Sequence, residues 1–388
     1  MTMCYSAAAA IIAFALALSF DQREGRKDRT VCFAALLLAL LAHVLGQLLI
    51  VSGGYSIAPH LAGAELSVRM ALGPAVLFYT RSLISATPIG FGGRDWSALA
   101  GPAFVILASL PFFRLSAEEK LALADPATRD PVHFQLAVFA CTAGVLLFLA
   151  FTTFYLIRAL RLQARHRTDV MRQFANIERR SLDWLRTMLV LFSGVWLSLG
   201  IKQALWVSGV SAPLFYSCLA FVEMLSIGVL AYLGLRQPSF VFEPYAVEPS
   251  PRTPILTDAH MSRLASKLAA ALNADRLYAR SDLSLRDLSD VTGATKNHIS
   301  ETLSQHLGVN FFDFVNRRRV DEAKRLLAET DKTILSIGYE VGFNSRSTFN
   351  AAFKKHIGST PRAFREMACG ESRAGLKSAK KKISAMYE

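Results

Sequence analysis

Apolar residues fill the chain before Gln237 in long runs, whereas beyond Pro254 they alternate with polar residues at helical spacing. The first pattern suits segments surrounded by lipid, and the second suits helices that bury one face and wet the other. A spanning helix needs about 20 mainly apolar residues. Seven stretches approach that length: Cys4 to Phe20, Val31 to Val51, Ala64 to Ile84, Ser97 to Phe113, Val132 to Ile157, Thr187 to Val207 and Pro213 to Leu235. The first and fourth are short, so the expected count is six to seven.

In the later half, Thr257 has the chemistry of a helix N-cap, and Met261, Leu264, Leu268 and Leu272 share one face of the helix it opens. Leu285, Leu288 and Val291 mark a short helix, Gly293 a tight turn, and Thr295 the cap of a second helix buried through Ile299, Leu303 and Leu307. Gly308 closes this helix-turn-helix pattern. A longer helix, about Phe311 to Glu329, turns Phe314, Val315, Val320, Ala323, Leu326 and Leu327 inward. The short arrangement then recurs: Ile334, Ile337 and Val341, a turn at Gly342, and a helix capped by Ser345 and buried through Phe349, Phe353 and Ile357. Thr360 and Pro361 begin one more helix. The expected fold is all-α, a seven-helix transmembrane bundle followed by two helix-turn-helix units about 50 residues apart. Its divisions are a membrane module over 1–235, a proline-rich linker over 236–256, a helix-turn-helix domain over 257–368 and a basic tail over 369–388 that reads as disordered. About 20 linker residues at roughly 3.3 Å each reach about 65 Å.

Composition sharpens the picture. With 52% hydrophobic and only 19% charged residues, the chain is too apolar for an ordinary soluble protein of two domains. Net charge is +13, and beyond Pro251 there are 23 Lys and Arg against 15 Asp and Glu, a surplus that suits a polyanion. The five cysteines show no paired spacing, and no metal set, nucleophile elbow or phosphate loop occurs. No enzymatic activity, metal or cofactor is therefore expected.

Basic residues also orient the spans. Arg23, Arg26, Lys27 and Arg29 follow the first span, and eight arginines from Arg158 to Arg186 follow the fifth, while the loops 52–63 and 208–212 carry no Lys or Arg. Arg114, Lys120 and Arg129 fall on the opposite side, accompanied by Glu118, Glu119, Asp125 and Asp130. The amino terminus is thus expected outside and the carboxyl terminus in the cytoplasm. Ionisable and polar groups inside spans usually face a bundle interior or cavity. His43, Gln47, Glu65, Arg69, Lys202 and Glu223 are such groups, and they are expected either to form a ligand pocket or to serve as structural glue.

The stretch Leu283 to Phe364 resembles the DNA-binding domain of the AraC family of bacterial transcription regulators. The residues that carry the resemblance are LSLRDLSDVTG, NRRRVDEAKRLL and IGYEVGFNSRSTFNAAFKKHIGSTPRAFR. NHISETLSQHLGVNFFDFVNRRRV is similar to a subgroup that joins this domain to a multi-span module, and FANIERRSLDWLR resembles part of that subgroup's membrane half. Two departures stand out: Ser289 occupies a place where many members have Ala, and Glu301 a place where a basic residue is common.

Helix faces assign the expected DNA contacts. Lys296, Asn297, Ser300, Glu301 and Ser304 turn outward on the first recognition helix, and Arg346, Ser347, Asn350 and Lys354 on the second. Arg pairs with guanine, Asn with adenine, and Glu accepts from cytosine N4. Arg317, Arg319 and Lys355 are expected on phosphates, with an internal ion pair as the other role for Arg319. The resemblance implies a membrane-bound, sequence-specific transcription regulator in the bacterial inner membrane. Its expected partners are promoter DNA, the bilayer, a small-molecule or envelope signal, a second copy of the chain and, for an activator, RNA polymerase. The competing readings are a transporter or receptor with a regulatory DNA-binding appendix, and spans that only anchor.

Overall fold

A computed structural model describes residues 1–21, 26–123, 127–178, 180–236 and 256–368; most of the proline-rich stretch and the basic tail lie outside them. Described residues are helical apart from turns and one isolated antiparallel bridge between Phe174 and Ser284. They form two compact units. The first runs to Arg165 and resumes at Leu182, and the second joins His166–Ser181 to the helices beyond Asp258.

The first unit contains α1 (Thr2–Asp21), α2 (Lys27–Ser52), α3 (Ala64–Arg69), α4 (Leu72–Ile84), α5 (Ala100–Phe113), α6 (Ala117–Ala122), most of α7 (Pro131–Gln173), α8 (Asp183–Val207) and α9 (Pro213–Leu235). Among the described residues six helices, α5 being extended back to Asp95 by a tighter turn, are long and apolar enough to cross a membrane; a bent pair would make a seventh. That pair is the expected third span, Ala64 to Ile84, which is broken and bent by 40°. Pro74 supplies the reason: it has no N–H for the carbonyl four residues back, at Met70, and its ring crowds that carbonyl. The fifth element departs the other way. Hydropathy places its end near Ile157, but α7 continues to Gln173 because the following residues hold no Gly or Pro and many strong helix formers. The core is built on Leu36, Leu37, Leu40 and Val44 of α2, with Phe148 edge-on to Trp196 at 6.1 Å and Phe192 stacked on Trp196 at 5.7 Å.

The second unit contains α10 (Asp258–Asn273), α11 (Leu285–Thr292), α12 (Lys296–Glu301), α13 (Phe311–Glu329), α14 (Ile334–Glu340), α15 (Arg346–Ile357) and a helix over residues 361–368. Local chemistry fixes where they start. Thr257, Ser284, Thr295, Asn310, Thr333 and Ser345 each accept a backbone N–H three residues on. Thr360 does the same for Ala363 at 3.2 Å. Each such cap stabilises by about 1 kcal/mol.

Two hydrophobic cores result. The first gathers Leu268, Leu272, Leu283, Leu285, Leu288, Ile299 and Leu303 on Phe311 and Val315. The second gathers Ile337, Val341, Phe343, Phe349 and Phe353 on Val320, Ala323, Leu326 and Leu327. Thus α13 gives its first half to one core and its second half to the other.

Candidate nucleic-acid interface

Each core carries one helix-turn-helix unit. In the first, Ser284 and Asp287 cap α11 reciprocally, with Ser284 N donating to Asp287 at 2.8 Å. Burial alone would raise the Asp287 pKa, but the Ser284 hydrogen bonds and the charge of Arg280 hold it below the usual range. The chain reverses at Gly293, and Ser289 Oγ donates to Ala294 O at 2.7 Å across the turn. The serine that departs from the family's usual Ala therefore ties the turn. In the second unit, α14 leads through Gly342, at φ 101°, into α15.

Of the expected readers, Asn297, Ser304, Arg346, Ser347 and Lys354 are exposed, and Lys296, Ser300 and Asn350 are half-exposed. Glu301 is a correction: it is only 2% exposed, and Leu256 N donates to it at 3.3 Å, so the segment entering α10 covers the face assigned to DNA. Leu307, expected inward, is exposed. For Leu307 the cause is a π turn at Thr302–His306, whose extra residue rotates all that follows by about 100°. Periodicity fitted at 3.6 residues per turn cannot anticipate such an insertion.

Among the phosphate candidates, Arg317 is exposed, and Lys355, also exposed, pairs with Asp313 at 2.6 Å. Arg319 is a second correction, being fully buried. Its Nε donates to Tyr278 O at 2.7 Å, Nη2 to Arg280 O at 2.8 Å, and Nη1 to the Asn176 and Asn316 amide oxygens at 3.3 Å each. Burial lowers its pKa to about 10, so it stays charged at neutral pH. The ion pair expected as its other role is replaced by hydrogen bonds to carbonyl and amide oxygens.

Arg346 remains the strongest candidate for base readout, exposed at the first position of α15 beside the Ser345 cap. Arg346→Ala should weaken specific binding by about 1 to 3 kcal/mol and relax preference at one operator position. A binding-site selection with the variant that returns the wild-type preference at every position would contradict this role.

Residues 166–181 are an unforeseen part of this unit. Ala175 is fully buried in the first core, and its N–H donates to Leu283 O at 3.0 Å. Asn176 Nδ2 donates to Ser281 O and, at 3.2 Å, to Gly342 O, while its Oδ1 faces Arg319, so one amide touches both helix-turn-helix units. Glu178 accepts from Ser345 Oγ at 2.5 Å and from Thr348 Oγ1. His166 Nε2 donates to Arg180 O at 2.8 Å, and the Arg180 guanidinium stacks 4.0 Å from the Phe174 ring. Asn and Glu in a charged segment give no periodic signal. The resemblance of FANIERRSLDWLR was the one clue, and it pointed to the membrane half.

In the first unit the six polar groups singled out inside the apolar helices come together. His43 Nδ1 lies 3.0 Å from Glu65 Oε1 and its Nε2 2.6 Å from Glu223 Oε1. Gln47 donates to Glu65 at 3.0 Å, Arg69 pairs with Glu65, and Lys202 donates to Gln47 at 3.0 Å. Gly46 makes the close approach possible, since a Cβ there would sit 2.2 Å from Glu65 Cγ. Beside the cluster lies a cavity of about 500 Å³ lined mainly by apolar side chains, with Gln47, Glu65, Arg69 and Lys202 on its wall. Arg69 Nε and Glu223 Oε2 are buried without a hydrogen-bond partner.

Two capped helix-turn-helix units on a shared helix, with basic and amide side chains outward, define a DNA-binding protein. A helix-turn-helix domain family model matches residues 288–367. Uncharacterized HTH-type transcriptional regulators of Staphylococcus aureus, strains COL and MSSA476 among them, are 38% identical over 89 residues, which is 23% of this chain and 12% of theirs. The match thus spans about an eighth of those relatives. A probable transcription factor of Proteus vulgaris, PqrA, is 33% identical over 91 residues, 24% of this chain and 75% of its own. A solved protein of unknown function from Listeria innocua aligns over 30% of this chain and 98% of its own at 24% identity, with a TM-score of 0.24. This chain belongs to the AraC-type helix-turn-helix transcription regulators.

Proposed function

We propose that the protein is a membrane-embedded, one-component transcription regulator that senses a signal through its apolar helices and adjusts how its two helix-turn-helix units bind promoter DNA. The observation that carries this reading is the presence, in one chain, of six or seven helices fit to cross a membrane and a complete DNA-binding unit. The distribution of Lys and Arg favours an outer amino terminus and a cytoplasmic DNA-binding unit. Lys296, Asn297, Ser300, Ser304, Arg346, Ser347, Asn350 and Lys354 are the proposed DNA-facing residues, with Arg317 and Lys355 on phosphates.

Two tests address it. Membrane fractionation with topology reporters fused after Ser52 and Arg236 should place the first outside and the second inside; an external carboxyl half would end the proposal. A genome-wide footprint of the full-length protein, with and without candidate signals, should then show specific sites whose occupancy changes. If removal of residues before Arg236 leaves that response unchanged, the helices only anchor. Net substrate uptake into vesicles would favour a transporter.

The polar cluster and its cavity are the proposed sensing end. Arg69 Nε and Glu223 Oε2 are buried without a protein hydrogen-bond partner, so each can take a further hydrogen bond. A hydrogen bond to a charged group contributes about 1.5 to 3 kcal/mol. Lys202→Met or Glu223→Gln should therefore shift the half-maximal signal concentration by roughly 10- to 150-fold while operator binding without signal persists. A correctly inserted variant with an unchanged response would assign the cluster to structure alone.

A further inference from the structure

The contact between Glu178 and α15 places a carboxylate where DNA needs something else. Ser345 and Thr348 occupy the first turn of a 12-residue helix, and Glu178 accepts from both hydroxyls. Helix N-termini attract anions, and DNA-binding proteins commonly set theirs against phosphates. Arg346 and Ser347, the exposed residues of this turn, lie between the two hydroxyls in sequence. An acid held here adds a negative charge beside the side chains that would meet a polyanion.

The carboxylate is delivered by a fastened segment. Ala175 is locked in the first core, the Phe174 bridge to Ser284 fixes the direction of the chain, and Asn176 is bonded to both helix-turn-helix units. Arg180 folds back on Phe174, and His166 holds the Arg180 carbonyl. The segment follows α7 and precedes α8, so both of its ends continue into apolar helices. At its exit Leu182 adopts φ 53° and ψ 36°, a left-handed conformation that a Leu side chain disfavours, with the side chain buried.

We propose that the first turn of α15 is a DNA-phosphate site that residues 174–178 keep occupied through Glu178, and that a phosphodiester replaces the Glu178 carboxylate on Ser345 and Thr348 when DNA binds. The carboxylate and a phosphate need the same two donors, so occupancy is exclusive. Displacement of α7 or α8 would then release the site by withdrawing the segment. The site itself rests on the DNA-binding reading and is independent of what the apolar helices sense.

The test uses the full-length protein in lipid nanodiscs and an operator duplex obtained by footprinting. Wild type, Glu178→Gln and Glu178→Ala are titrated from low to physiological salt. Both variants should bind the operator roughly tenfold more tightly, as expected for removing one like charge near a phosphate contact. Thr348→Val should weaken the wild-type complex and shrink the Glu178→Ala effect, because one of the two shared donors is gone. An unchanged affinity in both Glu178 variants overturns the proposal, as does a Glu178 effect that persists in full on the Thr348→Val background. Failure of every variant and the wild type to prefer any duplex would instead count against the DNA-binding reading.

Discussion

Arg319→Ala is expected to unfold the DNA-binding unit near physiological temperature. The guanidinium is fully buried and supplies donors to the carbonyls of Tyr278 and Arg280 and to the Asn176 and Asn316 amide oxygens. It also lies 5.5 Å from the centre of the Phe343 ring, so its removal opens a void beside the second core. Each buried acceptor left without a donor costs about 1 to 3 kcal/mol. The total should be about 3 to 5 kcal/mol, a large part of the stability of a unit this size. Thermal unfolding of the full chain, followed by a probe in the second unit, should show its transition lowered by roughly 15 °C or more. Arg319→Lys keeps the charge but loses the planar fork that reaches several oxygens at once, so it should recover little. A lysine variant as stable as wild type would refute the argument.

Gly342→Ala should be nearly as damaging, for a different reason. Gly342 has φ 101°, and a Cβ there would lie 2.7 Å from Ala279 O and 2.9 Å from Tyr278 O. Those atoms are backbone and cannot swing aside. Gly293 and Gly358, at φ 68° and 84°, face open space, so alanine at either meets only the left-handed penalty of about 1 to 2 kcal/mol. The expected order is a loss of about 3 kcal/mol or more at Gly342 and roughly half of that or less at the other two. Equal losses at all three, measured by chemical denaturation, would show that the clash is relieved by chain movement. Tyr278 O serves both Arg319 and the Gly342 contact, so the two substitutions share a partner. A double variant should lose less than the sum.

Legibility in the sequence followed the physics of each signal. Helix caps depend on one residue and its immediate neighbours, which is why Thr257, Thr295, Ser345 and Thr360 could be placed in advance. The boundaries of α13, Phe311 and Glu329, followed from a strong apolar stripe. Hydropathy located the apolar helices, but it could not end α7, because arginine-rich sequence ends the apolar run without ending the helix. The π turn after Glu301 moved Leu307 to the surface, and the chain entering α10 covered Glu301 itself. The first is an insertion that no fixed period registers, and the second is a contact between elements rather than spacing within one. Asn176 and Glu178 were illegible for the same reason: their partners lie more than a hundred residues away.

The division of α13 between two cores has a consequence for the operator. Because Phe311 and Val315 anchor one reading head and Val320, Ala323, Leu326 and Leu327 the other, a single rigid rod sets the gap between them. One inserted base pair turns the second half of a duplex by about 35° relative to the first, and nothing flexible in that rod can follow. Promoters served by this regulator are expected to tolerate changes of letter far better than changes of spacing.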